Sequence, residues 1–370
     1  MLEILRAALI GAFIGGMVGL VHGTLLSVTV HELGHLVFGK LTGYRFVSFR
    51  VSSFIWFKED GKIRFARSKS PFAGQCLMAP PEDYSNFKFV WYNLGGGVFN
   101  LIFSFLWFIA YVIVVLAAYN EPNVLLFLFF MTGVVVNLLM AILNLLPIIW
   151  FGTPVDGRNI LTALKSKDAA WGLYMMLYIN SQLAMGKRYR DFPGEMFALS
   201  PDADLSNYLV AWMVMLEAER LSDLGQHQEA LEQYNRLGKL PAIYGNSVKL
   251  AKMYIHTVLQ PDIEKAHEIY ADKKIKTIFT HLKALDYSWV IAAYEYLGLN
   301  NKEKAAKTLK RASKLVENHP NLGEKIMIKE HLERVGKLIN EDPEDDDELD
   351  AISLATLLQA TNNNPEDDEE

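Results

Sequence analysis

The stretch VTVHELGHLVFGK, Val28 to Lys40, sets His31, Glu32 and His35 into a run that is otherwise apolar. Four residues of α-helix return a side chain to the same face about 6 Å along the axis, so both imidazoles can address one point. Two imidazoles and a carboxylate make the ligand set of a catalytic Zn²⁺, which takes three protein ligands and keeps one position open. Glu32, beside the first histidine, stands where the H-E-x-x-H arrangement places its general base toward water. The third ligand has to come from elsewhere. Asp156, in NLLPIIWFGTPVDGRNI, lies at the end of the third apolar run, which returns to the same membrane face as His31 and His35. The competing reading is a pair of helix histidines satisfied by neighbouring backbone or by each other. Unpaired polar groups are costly in hydrocarbon, which favours the ion. His22 lies nine positions before His31 and about half a turn out of phase. It faces away from the proposed site and reads as a packed or interfacial residue.

The elements that would carry these groups follow from an uneven composition. The chain has 370 residues, 51% of them hydrophobic, and the apolar ones are concentrated in the first 155 positions. Runs at about 7–39, 89–118 and 123–150 each exceed the ~20 apolar residues that cross a bilayer. They read as three membrane spans. The first is too long for a straight span and is interrupted by glycines, so one long or kinked helix is expected, with a cleaved signal peptide the weaker alternative. The segment between the first two runs holds nine Lys/Arg, and the turn between the second and third holds none. The excess of positive charge marks the cytoplasmic side. It places residue 40 and everything after 157 inside.

Residues 41–88 read as a strand and loop insertion, with a β-hairpin turning at Asp60-Gly61. Such a hairpin lies on the membrane surface or lends an edge strand to an unwound substrate. Cys76 is the single cysteine, which excludes an internal disulfide and a thiolate zinc site. Asn100, Asn137 and Asn144 are polar groups in apolar runs. Asn144, beside Pro147 and the Asp156-Gly157 pair, is read as supporting the site, and Asn137 as an interhelical hydrogen-bonding residue or a cap.

The second half is written differently. Ala230 with Tyr234, Ala266 with Tyr270 and Ala305 with Leu309 repeat a small-then-large pair at a period in the mid-thirties. That period suggests tetratricopeptide-like helical hairpins over 168–340, with a non-repeating bundle as the alternative. The six histidines from His227 to His331 show no metal-ligand spacing. Residues 341–370 hold 13 Asp/Glu and no Lys/Arg and are expected to form an acidic disordered tail. There is no phosphate-binding loop, no dinucleotide fingerprint and no nucleic-acid patch.

Taken together, HELGH at 31–35, NLLP at 144–147 and PVDG at 154–157 resemble the site-2 protease family of intramembrane zinc metallopeptidases. GGGVFN, Gly95 to Asn100, and GQCLMAPP, 74–81, are similar to further motifs of that family. The chain departs from the pattern in a longer stretch from Asn144 to Asp156 and in Val155, where leucine is common. The resemblance, over about residues 20–165, implies zinc held by His31, His35 and Asp156, with Glu32 as general base and Asn144, Asn100 and Gly157 supporting the site. It also implies a membrane protein or peptide substrate cut within or near the bilayer.

The fold expected is mainly α. A polytopic membrane metalloprotease core of about three transmembrane helices, with a small β-hairpin insertion, occupies 1–165, and a cytoplasmic α-helical repeat domain follows. The protein is expected in the cell membrane as a multi-pass protein, with partners or self-association through the helical domain and none among nucleic acids. A membrane-anchored repeat scaffold that no longer cuts is the alternative. The intact set His31, Glu32, His35 and Asp156 argues against it.

Overall fold

In this computed structural model the described residues are 21–340, apart from 60, 118–123, 151, 239, 282–286, 318 and 320, together with 6, 11, 15 and 17. The start of the first apolar run, the side chain of His22, Asp60, the turn between the second and third runs, and the acidic tail lie outside them. The chain divides into two compact units, Met1–Ser181 and Gln182–Glu370.

The first unit is built on three helices and a long hairpin. A π-helical turn, Val21–Leu26, leads into α1, Ser27–Leu41. Strands β1, Arg45–Glu59, and β2, Lys62–Ala79, follow and pair antiparallel from Arg45↔Ala79 to Glu59↔Lys62. The turn has Gly61 at φ 77°, the left-handed conformation that a tight hairpin requires. Then come α2, Phe89–Ala117, and α3, Val124–Leu145. Both are long and apolar enough to cross a bilayer. A two-residue ladder of β3, Ile149–Trp150, and β4, Thr153–Pro154, ends at α4, Asp156–Ala163.

Absent side chains hold these helices together. A Cβ on Gly34 would lie 2.1 Å from the Gly95 carbonyl oxygen, and one on Gly95 would lie 2.5 Å from that of Gly34. Backbone therefore meets backbone where α1 crosses α2, the small-residue packing typical of membrane helices. The hairpin does not simply extend beyond the end of α1. Met78 packs where a Gly39 side chain would be, and Gly74 sits against Val28 and Glu32. β2 thus runs back along α1 for about three turns. Past Gly74 the hairpin projects outward, with Phe54, Trp56, Ile63 and Phe65 exposed at its far end.

Helix α5, Lys167–Ala184, begins in the first unit and ends in the second. Its Tyr174 hydroxyl donates to the carbonyls of Pro81 and Glu82, at 3.1 and 3.2 Å, and its ring packs edge-on to Tyr84 and Phe87.

The second unit is all helical among the described residues: α6 Tyr208–Asp223, α7 His227–Asn235, α8 Ala242–Tyr254, α9 Ile263–Tyr270, α10 Lys273–His281, α11 Ser288–Leu297, α12 Lys302–Val316 and α13 Leu322–Asn340. Ala230, Ala266 and Ala305 are fully buried, on α7, α9 and α12. Each is the second helix of a pair, and a methyl group there lets its partner approach closely. Helix starts are capped by side-chain oxygens: Asn207 accepts from the Leu209 N–H, Asp262 from Lys265 and Asn301 from Lys304.

Asp223, at the end of α6, accepts from the Arg190 side chain and backbone, both at 3.0 Å, and from Arg188. Arg188 also bonds Glu330 of α13. Burial alone would raise the Asp223 carboxyl, but the hydrogen bonds from Arg190 and the charge of Arg188 hold it below the usual carboxylate range. A carboxyl depressed in the folded state contributes stability that is complete above its unfolded pKa and lost as pH falls through the folded one. Asp223→Asn should therefore cost the second unit about 2–3 kcal/mol at neutral pH. The deficit relative to wild type should shrink below about pH 4, measured by denaturant unfolding of the full chain.

Candidate metal centre

His31 and His35 lie one turn apart on α1, and both are buried. The Nδ1–H of His31 donates to Asn100 Oδ1 on α2 at 2.9 Å, and the Nδ1–H of His35 donates to the Tyr92 carbonyl at 2.8 Å. A carbonyl can only accept, so His35 carries its proton on Nδ1. Asn100 is oriented by its own donors: Nδ2 reaches the Ser27 carbonyl at 3.0 Å and Asn137 Oδ1 at 2.9 Å. Its Oδ1 therefore faces His31, and that imidazole also holds its proton on Nδ1. Both Nε2 atoms are left as bare lone pairs. Hydrogen bonds of this kind fix the tautomer and orientation of metal-ligating histidines.

Those lone pairs meet a carboxylate. Asp156 Oδ2 lies 3.2 Å from His31 Nε2 and 3.3 Å from His35 Nε2, and the two Nε2 atoms are 3.2 Å apart. The oxygen is buried, with no hydrogen-bond partner. Three acceptors thus form a nearly equilateral triangle. A proton could bridge one edge but not three. Tetrahedral bonds of 2.0–2.1 Å put neighbouring ligand atoms about 3.3–3.4 Å apart. The triangle has the size and the charge deficit that a Zn²⁺ ion fills, and among the described residues this is the one group of three or more His, Cys, Asp or Glu set to hold a metal.

How Asp156 arrives explains the long stretch after Asn144. Ile149 pairs with Pro154 and Trp150 with Thr153, with Gly152 at φ 82° in the turn. The chain doubles back and starts α4 with Asp156 as its first residue. Gly157 permits the approach, since a Cβ there would sit 2.1 Å from the Leu145 carbonyl oxygen. Asn144 donates to the Met140 carbonyl one turn back at 2.9 Å, within its own helix.

Glu32 is buried on the side of α1 that faces β2. Its carboxylate accepts from the Cys76 backbone N–H, and a Cβ on Gly74 would come 2.6 Å from Oε1. The Cys76 carbonyl is also taken, by the Tyr92 hydroxyl at 2.7 Å. The outer edge of β2 is therefore engaged at Cys76 by α1 and α2. Tyr92, Gly74 and Gly34 carry no chemistry visible in a sequence, because Tyr92 meets His35 through its backbone carbonyl and the two glycines act through a missing side chain. Asn137 had a legible signal, being an amide in an apolar helix at the level of Asn100.

Residues 20–123 match the model of peptidase family M50, the site-2 protease family. The matched segment contains His31, Glu32, His35 and Asn100 and ends before Asp156. No curated protein and no solved structure matches the chain. The full chain should bind one equivalent of Zn²⁺ or Co²⁺. Asp156→Ala should weaken that binding at least 100-fold and Asn100→Leu roughly 10–100-fold, read by chelator competition. Binding should also weaken as pH falls and the imidazoles compete for protons.

Proposed function

Taking the M50 match as premise, we propose that this chain is an intramembrane zinc endopeptidase that hydrolyses peptide bonds in or near transmembrane segments of other proteins. The reading rests on one observation above the others. Asp156, outside the matched segment, meets His31 and His35 at ligand spacing. Three membrane spans, with the C-terminal unit on the cytoplasmic side, agree with the distribution of Lys and Arg. The paired helices of the second unit, taken as a tetratricopeptide-like array, supply a surface for a substrate or regulator.

His31, His35 and Asp156 would hold the zinc, which supplies Lewis acidity toward water and the scissile carbonyl. Glu32 takes a proton from the attacking water and returns it to the leaving nitrogen, as a general base and then acid. The Cys76 N–H keeps that carboxylate aimed, and the apolar walls limit access of bulk water. Asn100 and the Tyr92 carbonyl hold the imidazoles so that their Nε2 lone pairs stay available.

Two variants separate proton transfer from metal binding. Glu32→Gln should retain zinc and lower processing of a co-expressed membrane substrate by roughly 10²–10⁴-fold. Gly74→Ala, whose methyl group would press on Glu32 and Val28, should also keep the metal and lower turnover more than substrate affinity. Wild-type processing by Glu32→Gln would refute the protease reading.

A further inference from the structure

Asn137 is fully buried on α3 and touches neither histidine, yet it stands at the end of a continuous string of amides. Its Nδ2 donates to the Gly133 carbonyl at 2.9 Å, one turn back on the same helix. Helix backbone fixes that carbonyl, so the amide of Asn137 has one orientation, with Oδ1 toward α2. Asn100 Nδ2 donates to it at 2.9 Å, and with the Ser27 carbonyl it uses both amide hydrogens of Asn100. That leaves Asn100 Oδ1 for the Nδ1–H of His31. The string runs Gly133, Asn137, Asn100, His31 and joins α3, α2 and α1.

The alternative arrangement defines what the string does. If the Asn100 amide flipped, its NH₂ would face His31 Nδ1, which would then have to accept. The imidazole proton would move to Nε2, pointing at Asp156 Oδ2 and at the other Nε2, where a metal needs a lone pair. Hydrogen bonding at the far nitrogen is what sets which nitrogen can ligate. Asn100 is fully buried, so no water is at hand to compensate an amide left half-paired.

We propose that Asn137 is a positioning residue for the metal centre, acting through Asn100 to hold His31 in the tautomer whose Nε2 can bind the ion. This rests on the metalloprotease reading above but concerns the metal, not the cleavage. Asn137→Leu removes the acceptor while keeping similar volume. It leaves one Asn100 hydrogen unpaired, which makes the amide free to flip. Asn137→Asp is the conservative variant. Its carboxyl, kept protonated by apolar surroundings, presents a carbonyl to Asn100 and a hydroxyl to Gly133.

The test uses the full chain in lipid nanodiscs, with Co²⁺ as probe. Affinity is read from the visible ligand-field spectrum and chelator competition, and thermal unfolding is followed alongside. Asn137→Leu should bind Co²⁺ about tenfold more weakly and show an altered spectrum, and Asn137→Asp should restore both. In an Asn100→Leu background, Asn137→Leu should weaken binding no further, because its effect passes through Asn100. A merely structural role predicts losses that follow thermal stability and add in the double variant. Additive losses, or wild-type affinity in Asn137→Leu, would overturn the proposal while leaving the protease reading intact. A wild-type chain that took up no Co²⁺ would overturn both.

Discussion

The close crossing of α1 and α2 at Gly34 and Gly95 is the constraint on which the remaining geometry depends. Direct backbone contact at that level brings Tyr92 and Asn100 of α2 within hydrogen-bonding distance of His35 and His31. Gly96 extends the same logic, since a Cβ there would fall 2.5 Å from the His31 ring. A wider helix spacing would leave both imidazoles without partners in an apolar layer, where an unsatisfied polar group costs several kcal/mol. Helix packing and histidine chemistry are in this sense one problem, solved by three consecutive glycines, Gly95 to Gly97, and one facing them.

The third helix and the connection after it complete the enclosure. Gly97 accommodates Leu145 at the end of α3, and Gly157 accommodates the carbonyl of that same residue. Leu145 is thus clasped from two sides, which fixes the height at which α4 begins and so the height of its first residue, Asp156. Ser104 adds a hydrogen bond to the Val134 carbonyl at 2.9 Å, one turn along α2 from Asn100. The polar contacts that Asn100 and Ser104 of α2 make with α3 are paired, as the low dielectric around them demands.

Much of the candidate site could be read from residue types. His31, Glu32 and His35 declare themselves because ionisable groups in an apolar run need a reason, and Asp156 was the one carboxylate within reach. The Gly61 turn was legible from its dipeptide chemistry. The path of β2 back along α1 was not. That path depends on Gly39 and Gly74 offering room for Met78 and for Val28 and Glu32. Missing side chains speak only when their neighbours in space are known. The stretch 146–155 was likewise opaque, since two short strands and a glycine turn carry little periodicity.

The hairpin of β3 and β4 has a consequence for the order of assembly. Asp156 follows His35 by about 120 residues and is tethered to the end of α3 by fewer than a dozen. During synthesis the two histidines emerge long before their carboxylate partner. The coordination triangle therefore closes only when the final apolar helix has docked against the first two. Until then a half-made chain holds His31 and His35 without the third member of the triangle, so the candidate metal centre is among the last features of the first unit to assemble.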